Sequence, residues 1–370
     1  MATTNTPALG EEFREDLRPL ASQAGLNSPA VTRPGAGNAT ARRLLSPDEL
    51  AALTTLSTGH SLAALALTVG IIALAIAFGI AVWPSPWVVL SVLVIGVQQH
   101  AMFILVHESA HYRLFRSRNL NDVVGRTFGM AGGVSMCTYR VIHRLHHNNL
   151  YTEEDPDTAI HGGYPRGVGY LWKKLAEDLV GFNAWKTLAY FFGAPAINAA
   201  THRAARPLDD TSETLRTSAR RDRWAVLGFH LYAPMLALTL GGWHALALYL
   251  VLWPLPILTV LQPILRLRAI AEHGAVTDLS SPLTAARCNR TVGSFGNWLG
   301  RALIFPHHVN YHLEHHLYPA VPHYRLPALH RMLQEKGVLA GAEVRDMVDT
   351  MRLIFAPRQP RHPFGPVLRR

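Results

Sequence analysis

The stretch Trp87-Val-Val-Leu-Ser-Val-Leu-Val-Ile-Gly-Val-Gln-Gln-His-Ala-Met-Phe-Ile-Leu-Val-His107-Glu-Ser-Ala-His111 decides the fold. From Trp87 to Val106 it is apolar, broken only by Gln98, Gln99 and His100. A helix of that length covers about 30 Å, the thickness of a bilayer's hydrocarbon. His107 and His111 follow at i and i+4, which places both imidazoles on one helix face, one turn apart. A membrane helix therefore ends in a pair of transition-metal donors.

Three further apolar runs surround this one. Residues 61–83 carry no charge and are joined to it by Pro84-Ser85-Pro86, flanked by the interface aromatics Trp83 and Trp87. Residues 224–240 and 243–265 form the other two, joined at Gly241-Gly242, with Pro234, Pro254, Pro256 and Pro263 as expected kinks. The expected fold class is all-α and integral to the membrane, with four transmembrane helices in two hairpins and a helical cytosolic cap. Both connectors lack Lys and Arg, whereas the opposite side carries Arg113, Arg116, Arg118, Arg126, Arg216, Arg220, Arg221, Arg223, Arg266 and Arg268. By the positive-inside rule both termini and the middle loop are cytoplasmic.

Composition agrees. Of the 370 residues 49% are apolar and only 16% charged, against about a quarter charged in soluble domains. The net charge of +10 is assigned to the cytoplasmic face, because no nucleic-acid motif is present. Cys137 and Cys288 show neither metal spacing nor a disulfide framework and are expected to be buried. Residues 1–45 are expected to be loosely ordered, with no secretory signal. Ser46-Pro47-Asp48-Glu49 reads as a capping box that opens the membrane domain, expected over 46–340. The cap comprises 107–222 and 266–340, and 341–370 is expected to be a C-terminal tail. Residues 168–192 are amphipathic, which suits either a helix on the membrane surface or a core helix of the cap.

Two more clusters repeat the imidazole spacing: His143, His146 and His147, then His312, His315 and His316. Eight imidazoles exceed what one ion binds, so two ions are expected. His273 follows the fourth run as His107 and His111 follow the second, and joins the set as a ninth donor. His307 and His308 are expected to stay outside it. His100 is read as a hydrogen-bonded membrane histidine, and His161, His323 and His330 as loop or surface residues. Metal-bound histidines hand their second ring nitrogen to a carboxylate or carbonyl. Asp155, Asp157 and Glu272 are the chosen partners, with Glu108, Glu153, Glu154 and Glu314 nearby. Zinc in such a site gives hydrolysis and iron gives oxygen activation. Two redox ions beside a lipid-filled region favour attack on an unactivated C–H bond.

These residues resemble the integral-membrane fatty acid desaturase and hydroxylase superfamily, bacterial branch. Its three histidine boxes match His107–His111, His143–His147 and His312–His316, and the flanking Asn148-Asn149-Leu150-Tyr151-Thr152, Asp155-Pro156-Asp157 and Asn310-Tyr311 through Tyr318-Pro319 match as well. The resemblance covers about 47–335. It implies two non-haem iron ions, O2 as co-substrate and the eight box histidines as ligands, with His273 as the additional one. It further implies a lipid or small-molecule substrate and a separate electron donor such as a ferredoxin, no cytochrome module being fused here. The His-x3-His first box, Ala269 where acyl-CoA desaturases carry Asn, and His312 in place of Gln separate this chain from the acyl-CoA and front-end branches. The expected reaction is oxygen-dependent desaturation of a fatty acyl chain or lipid. The alternatives are hydroxylation of a lipid, desaturation of a small amino-acid-derived metabolite of the dihydrorhizobitoxine type, and a non-catalytic metal-binding membrane protein. Val92, Leu93, Ile95, Phe103, Leu236 and Leu240 are the expected groove residues.

Overall fold

The computed structural model describes residues 44–150, 155–194, 196–197, 204–205, 208, 211–276 and 281–358. Residues 1–43 of the expected loose segment, and Glu153 and Glu154, lie outside the described residues. The fold is mostly helical. Ser46 opens α1 (Pro47–Thr54) with the expected reciprocal cap: its hydroxyl accepts from the Glu49 N–H at 3.2 Å, and the Glu49 carboxylate accepts from the Ser46 N–H at 2.7 Å. The long apolar helices α2 (Thr58–Val82) and α3 (Val88–Ala110) follow as an antiparallel pair.

After α3 come α4 (Arg118–Gly132), α5 (Met136–Asn148), α6 (Thr158–His161), α7 (Val168–Leu179) and α8 (Ala184–Phe191). A two-residue antiparallel pair, β1 (Ala196–Ile197) and β2 (Ala204–Ala205), precedes α9 (Glu213–Leu252). The helix that carries the third apolar run thus starts eleven residues before 224, at Glu213. Gly242, at φ 64° and ψ −162°, breaks the helix within α9, a conformation only glycine adopts without strain. The fourth run is not one helix. It continues as the rest of α9, then α10 (Pro254–Leu258) and α11 (Leu261–His273), with Pro254 and Pro263 near the starts of the last two. Three helical stretches, Pro47–Val82, Val88–Ala110 and Glu213–His273, are long and apolar enough to cross a membrane.

Contacts along α3 fix the direction of the last stretch. The Trp83 ring lies 6.4 Å from that of His244, Ser91 and Leu252 meet at Gly79, Gly96 faces Val260, and Ile104 packs on Ala271. The segment after Gly242 therefore runs beside α3 in the same direction, and His273 arrives level with His107. Asp222, near the start of α9, is paired with Arg126 at 3.2 Å and accepts from the Cys137 N–H at 2.7 Å, so α9 begins at the histidine end. Both cysteines are buried.

The chain closes with α12 (Pro282–Ala285), β3 (Cys288–Arg290), α13 (Phe295–Leu303), α14 (His312–Leu317), α15 (Leu326–Glu335), β4 (Val344–Asp346) and α16 (Met347–Ile354). β3 and β4 pair in parallel, and Met347, Thr350 and Ile354 are buried. This corrects the expected tail: residues from 341 to 358 belong to the packed body because they supply a strand and an apolar helix face. Of the two roles foreseen for residues 168–192, packing in the body is the one seen. Leu171 and Leu175 pack under Ile270 and Ile354, while Trp172, Leu179, Phe182 and Trp185 face outward.

Candidate metal centre

Four parts of the chain carry the nine histidines to one end of the apolar helices: the end of α3, the middle and end of α5, the end of α11, and α14. Their ring nitrogens sort into two groups. His107, His111, His143, His147 and His315 form one, and His146, His273, His312 and His316 the other; within each, the donor atoms lie within 4.8 Å of one another. The i, i+3, i+4 spacing explains the sorting. On α5, His143 and His147 are one turn apart and reach the first group, while His146 is offset towards the second. α14 is split in the same way between His315 and the pair His312 and His316.

The hydrogen positions demanded by the surroundings show what such groups can hold. The Asp155 carboxylate can only accept, so His146 Nδ1, 2.9 Å away, carries a proton. His273 Nδ1 donates to the Ala285 carbonyl at 3.1 Å. The neutral His273 ring then has one lone pair, on Nε2, and it faces His146 Nε2 at 3.1 Å and His312 Nε2 at 2.8 Å. His312 Nε2 in turn meets His316 Nε2 at 3.0 Å. One lone pair cannot satisfy two such neighbours, whereas a cation between them satisfies all. The first group repeats the pattern, with Nε2 atoms of His111, His143, His147 and His315 spaced 2.8–3.0 Å. His107 Nε2 is buried in that group with no hydrogen-bond partner among the described residues. The donor set fits transition-metal ions.

Electrostatics keep most of the rings neutral, as ligands must be. Burial, with Arg113 and Arg140 nearby, pushes His111 down to about 3. Burial and neighbouring imidazoles hold His143, His312, His315 and His316 well below the usual histidine range. Burial also opposes charge on His146, but Asp155 and Asp157 outweigh it and raise this ring to about 9.

The three expected carboxylates all lie at the site. Asp155 is buried against His146. Asp157 is 3.6 Å from His146 Nδ1 and accepts from the Tyr190 hydroxyl. Glu272 lies 3.6 Å from His312 Nδ1 and is held by Arg268 at 2.8 Å. Glu108 does similar duty, 3.2 Å from His107 Nδ1. Tyr139 stacks on His143 at 5.5 Å, and Tyr190 and Phe191 close that side.

Several expectations are corrected. His161 and His323 are buried, at 1% and 5% exposure, and are not surface residues. His161 lies beside His146 and Asp155, at the end of the short helix α6. His100 is buried with neither ring nitrogen hydrogen-bonded among the described residues. His307 and His308 stay outside both groups, His307 bonding Thr68 at 2.9 Å. His330 is half-buried against Glu314 and Cys288. The six groove candidates divide: Val92, Ile95 and Phe103 are buried in helix packing, while Leu93, Leu236 and Leu240 are exposed. A cavity of about 250 Å³ lies elsewhere, between Thr68, Gln98, Arg301 and His307.

Comparison with known proteins follows the same residues. The fatty acid desaturase family profile matches residues 81–346. The chain is similar to dihydrorhizobitoxine desaturase of Bradyrhizobium elkanii, 28% identical over 263 residues that cover 67% of this chain and 68% of that protein. It is 24% identical to sn-1 oleoyl-lipid 12-desaturase of Anabaena variabilis over 284 residues, 73% of this chain and 76% of the relative. Omega-6 fatty acid desaturase, endoplasmic reticulum isozyme 1, of Glycine max is 23% identical over 261 residues, 67% of this chain and 64% of the relative.

Proposed function

The chain belongs to the fatty acid desaturase family, and on that premise we propose that it is an oxygen-dependent membrane desaturase that introduces a double bond into a fatty acyl chain or lipid. The observation that carries this reading is the convergence of nine buried or half-buried imidazoles into two adjacent groups at the end of the apolar helices. In this reading the pairs α2–α3 and α9–α11 each cross a bacterial inner membrane twice. The remaining helices cap them on the cytoplasmic side, where both termini lie. The basic residues at that end and the charge-free turns at the other support this orientation.

Two iron ions, when bound, supply the redox chemistry that turns O2 against an unactivated C–H bond. His107, His111, His143, His147 and His315 would hold one, and His146, His273, His312 and His316 the other. The chain's own work is to fix and shield this set. Asp155 and the Ala285 carbonyl keep the Nδ1 protons of His146 and His273 away from the metal side. Tyr139, Tyr190 and Phe191 exclude water beside His143. Forming one double bond removes two hydrogens, and reducing O2 to two waters takes two further electrons and two protons. The electrons come from a separate acidic protein, a ferredoxin or similar, docking on the face that carries exposed Arg216, Arg220 and Arg221.

A second reading, a small amino-acid-derived substrate, is favoured by the 28% identity to the Bradyrhizobium enzyme. One experiment addresses both. Lipids and metabolites are profiled under labelled O2 in cells expressing the chain or its His146→Ala variant. The expected result is a species lighter by two hydrogens, free of label and absent from the variant. A labelled product means hydroxylation, and identical profiles overturn the proposal.

A further inference from the structure

His161 ends α6, a four-residue helix packed on α11. Its ring is 1% exposed and lies 4.9 Å from the His273 ring and 6.1 Å from the His146 ring, centroid to centroid. Those two rings come from different helices and belong to the same donor group. Asp155 links the three residues. Its Oδ1 accepts from His146 Nδ1 at 2.9 Å and from the Asp157 N–H at 3.0 Å, while its Oδ2 lies 3.9 Å from His161 Nε2. The nitrogens of His161 fall outside the four-imidazole group; its donor atom gathers instead with those of His146 and Asp155, within 4.8 Å.

We propose that His161 is a positioning residue, which steadies the Asp155 carboxylate from its far oxygen and backs His273, so that His146 and His273 offer Nε2 to one ion. This deepens the metal-centre reading and rests on it. At 3.9 Å the contact is too long for a direct hydrogen bond. It acts as a dipole or a water bridge towards the carboxylate, combined with the bulk of the ring. A polar, uncharged ring suits the place, because a further cation there would oppose the ions.

The test uses the full chain in detergent, stripped with a chelator and titrated with Co2+ alone, whose absorption reports ligand geometry. Wild type is compared with His161→Ala, His161→Asn and His161→Phe. His161→Ala is expected to bind one of the two ions about 10–100-fold more weakly, the usual cost of losing an outer-shell partner, with an altered spectrum for that ion. His161→Asn restores binding to within about threefold and His161→Phe does not. The inference is overturned if His161→Ala binds both ions with wild-type affinity and spectrum, or if Phe restores binding as well as Asn. Should the alanine variant not fold, the Asn and Phe comparison decides alone. A wild-type chain that binds no Co2+ overturns the metal-centre reading and this inference together.

Discussion

At His146 two opposing effects meet and the carboxylates win. Burial disfavours a charged ring, yet Asp155 and Asp157 raise it to about 9. Asp155→Asn removes the charged acceptor from His146 Nδ1. We expect iron retained per chain to fall with an affinity loss of about 10–100-fold, measured by elemental analysis after gel filtration. Unchanged iron content would show that Asp155 does not orient this ring. The other buried histidines set the response to acid. His111, His161 and His323 are each pushed down to about 3 by burial, whereas the unfolded value is about 6.5. Between those values the unfolded chain binds more protons, so stability from these rings is complete above about 6.5 and falls as pH drops. His146 has the opposite sign, its contribution being lost as pH rises through about 9. The depressed rings outnumber it, so the thermal midpoint of metal-free protein should be lower at about pH 5 than at about pH 7.5. A midpoint that rises on acidification contradicts this. Residues of this kind were legible where spacing encodes a helix face, as at His143 and His147. His161 was not, because the turn from Asp155 to His161 has no period to read.

Among the elements, the close approach of α3 to the chain before α11 is the most demanding. A Cβ on Gly96 would meet Val260 Cβ and Cγ1 at 2.5 Å. Val260 is β-branched and has little room to turn. Gly96→Ala should therefore destabilise by about 1–3 kcal/mol, despite alanine's better helix propensity. Adding Val260→Gly should recover part of that loss in detergent melts, since the two sites share one contact. Strictly additive losses would mean that the helices do not meet there. The apolar runs 61–83 and 87–106 were readable because nothing interrupts them. The fourth run read as one helix because hydropathy is blind to backbone breaks; the interruptions at Trp253 and Thr259 come from proline and from packing against α3. Exposed Trp172, Phe182 and Trp185 show why the amphipathic stretch resisted a single assignment: it is apolar on two sides.

For the whole molecule the decisive contact spans the last third of the chain. Arg287 is fully buried, paired with Glu343 at 3.0 Å, and donates to the carbonyls of Ala271, Gly274 and Ala275 at 2.9–3.0 Å. It thus ties the turn carrying His273 to the residue that precedes β4. Glu343 also accepts from Arg345 at 3.0 Å, so Arg287→Met leaves that carboxylate with one arginine and three carbonyls without their donor; it should cost about 3–5 kcal/mol, and adding Glu343→Met should return part of it. Equal losses in the single and double variants would refute that account. This long-range tie was invisible in the sequence, where 341 onward read as a tail, since a lone Arg and a lone Glu carry no pattern. It also has a consequence for biogenesis. A nascent chain still on the ribosome at residue 320 possesses every histidine of the two groups but lacks the partner that neutralises Arg287. The turn that carries His273 is therefore tied to the rest of the body only late in synthesis, once Glu343 has been added.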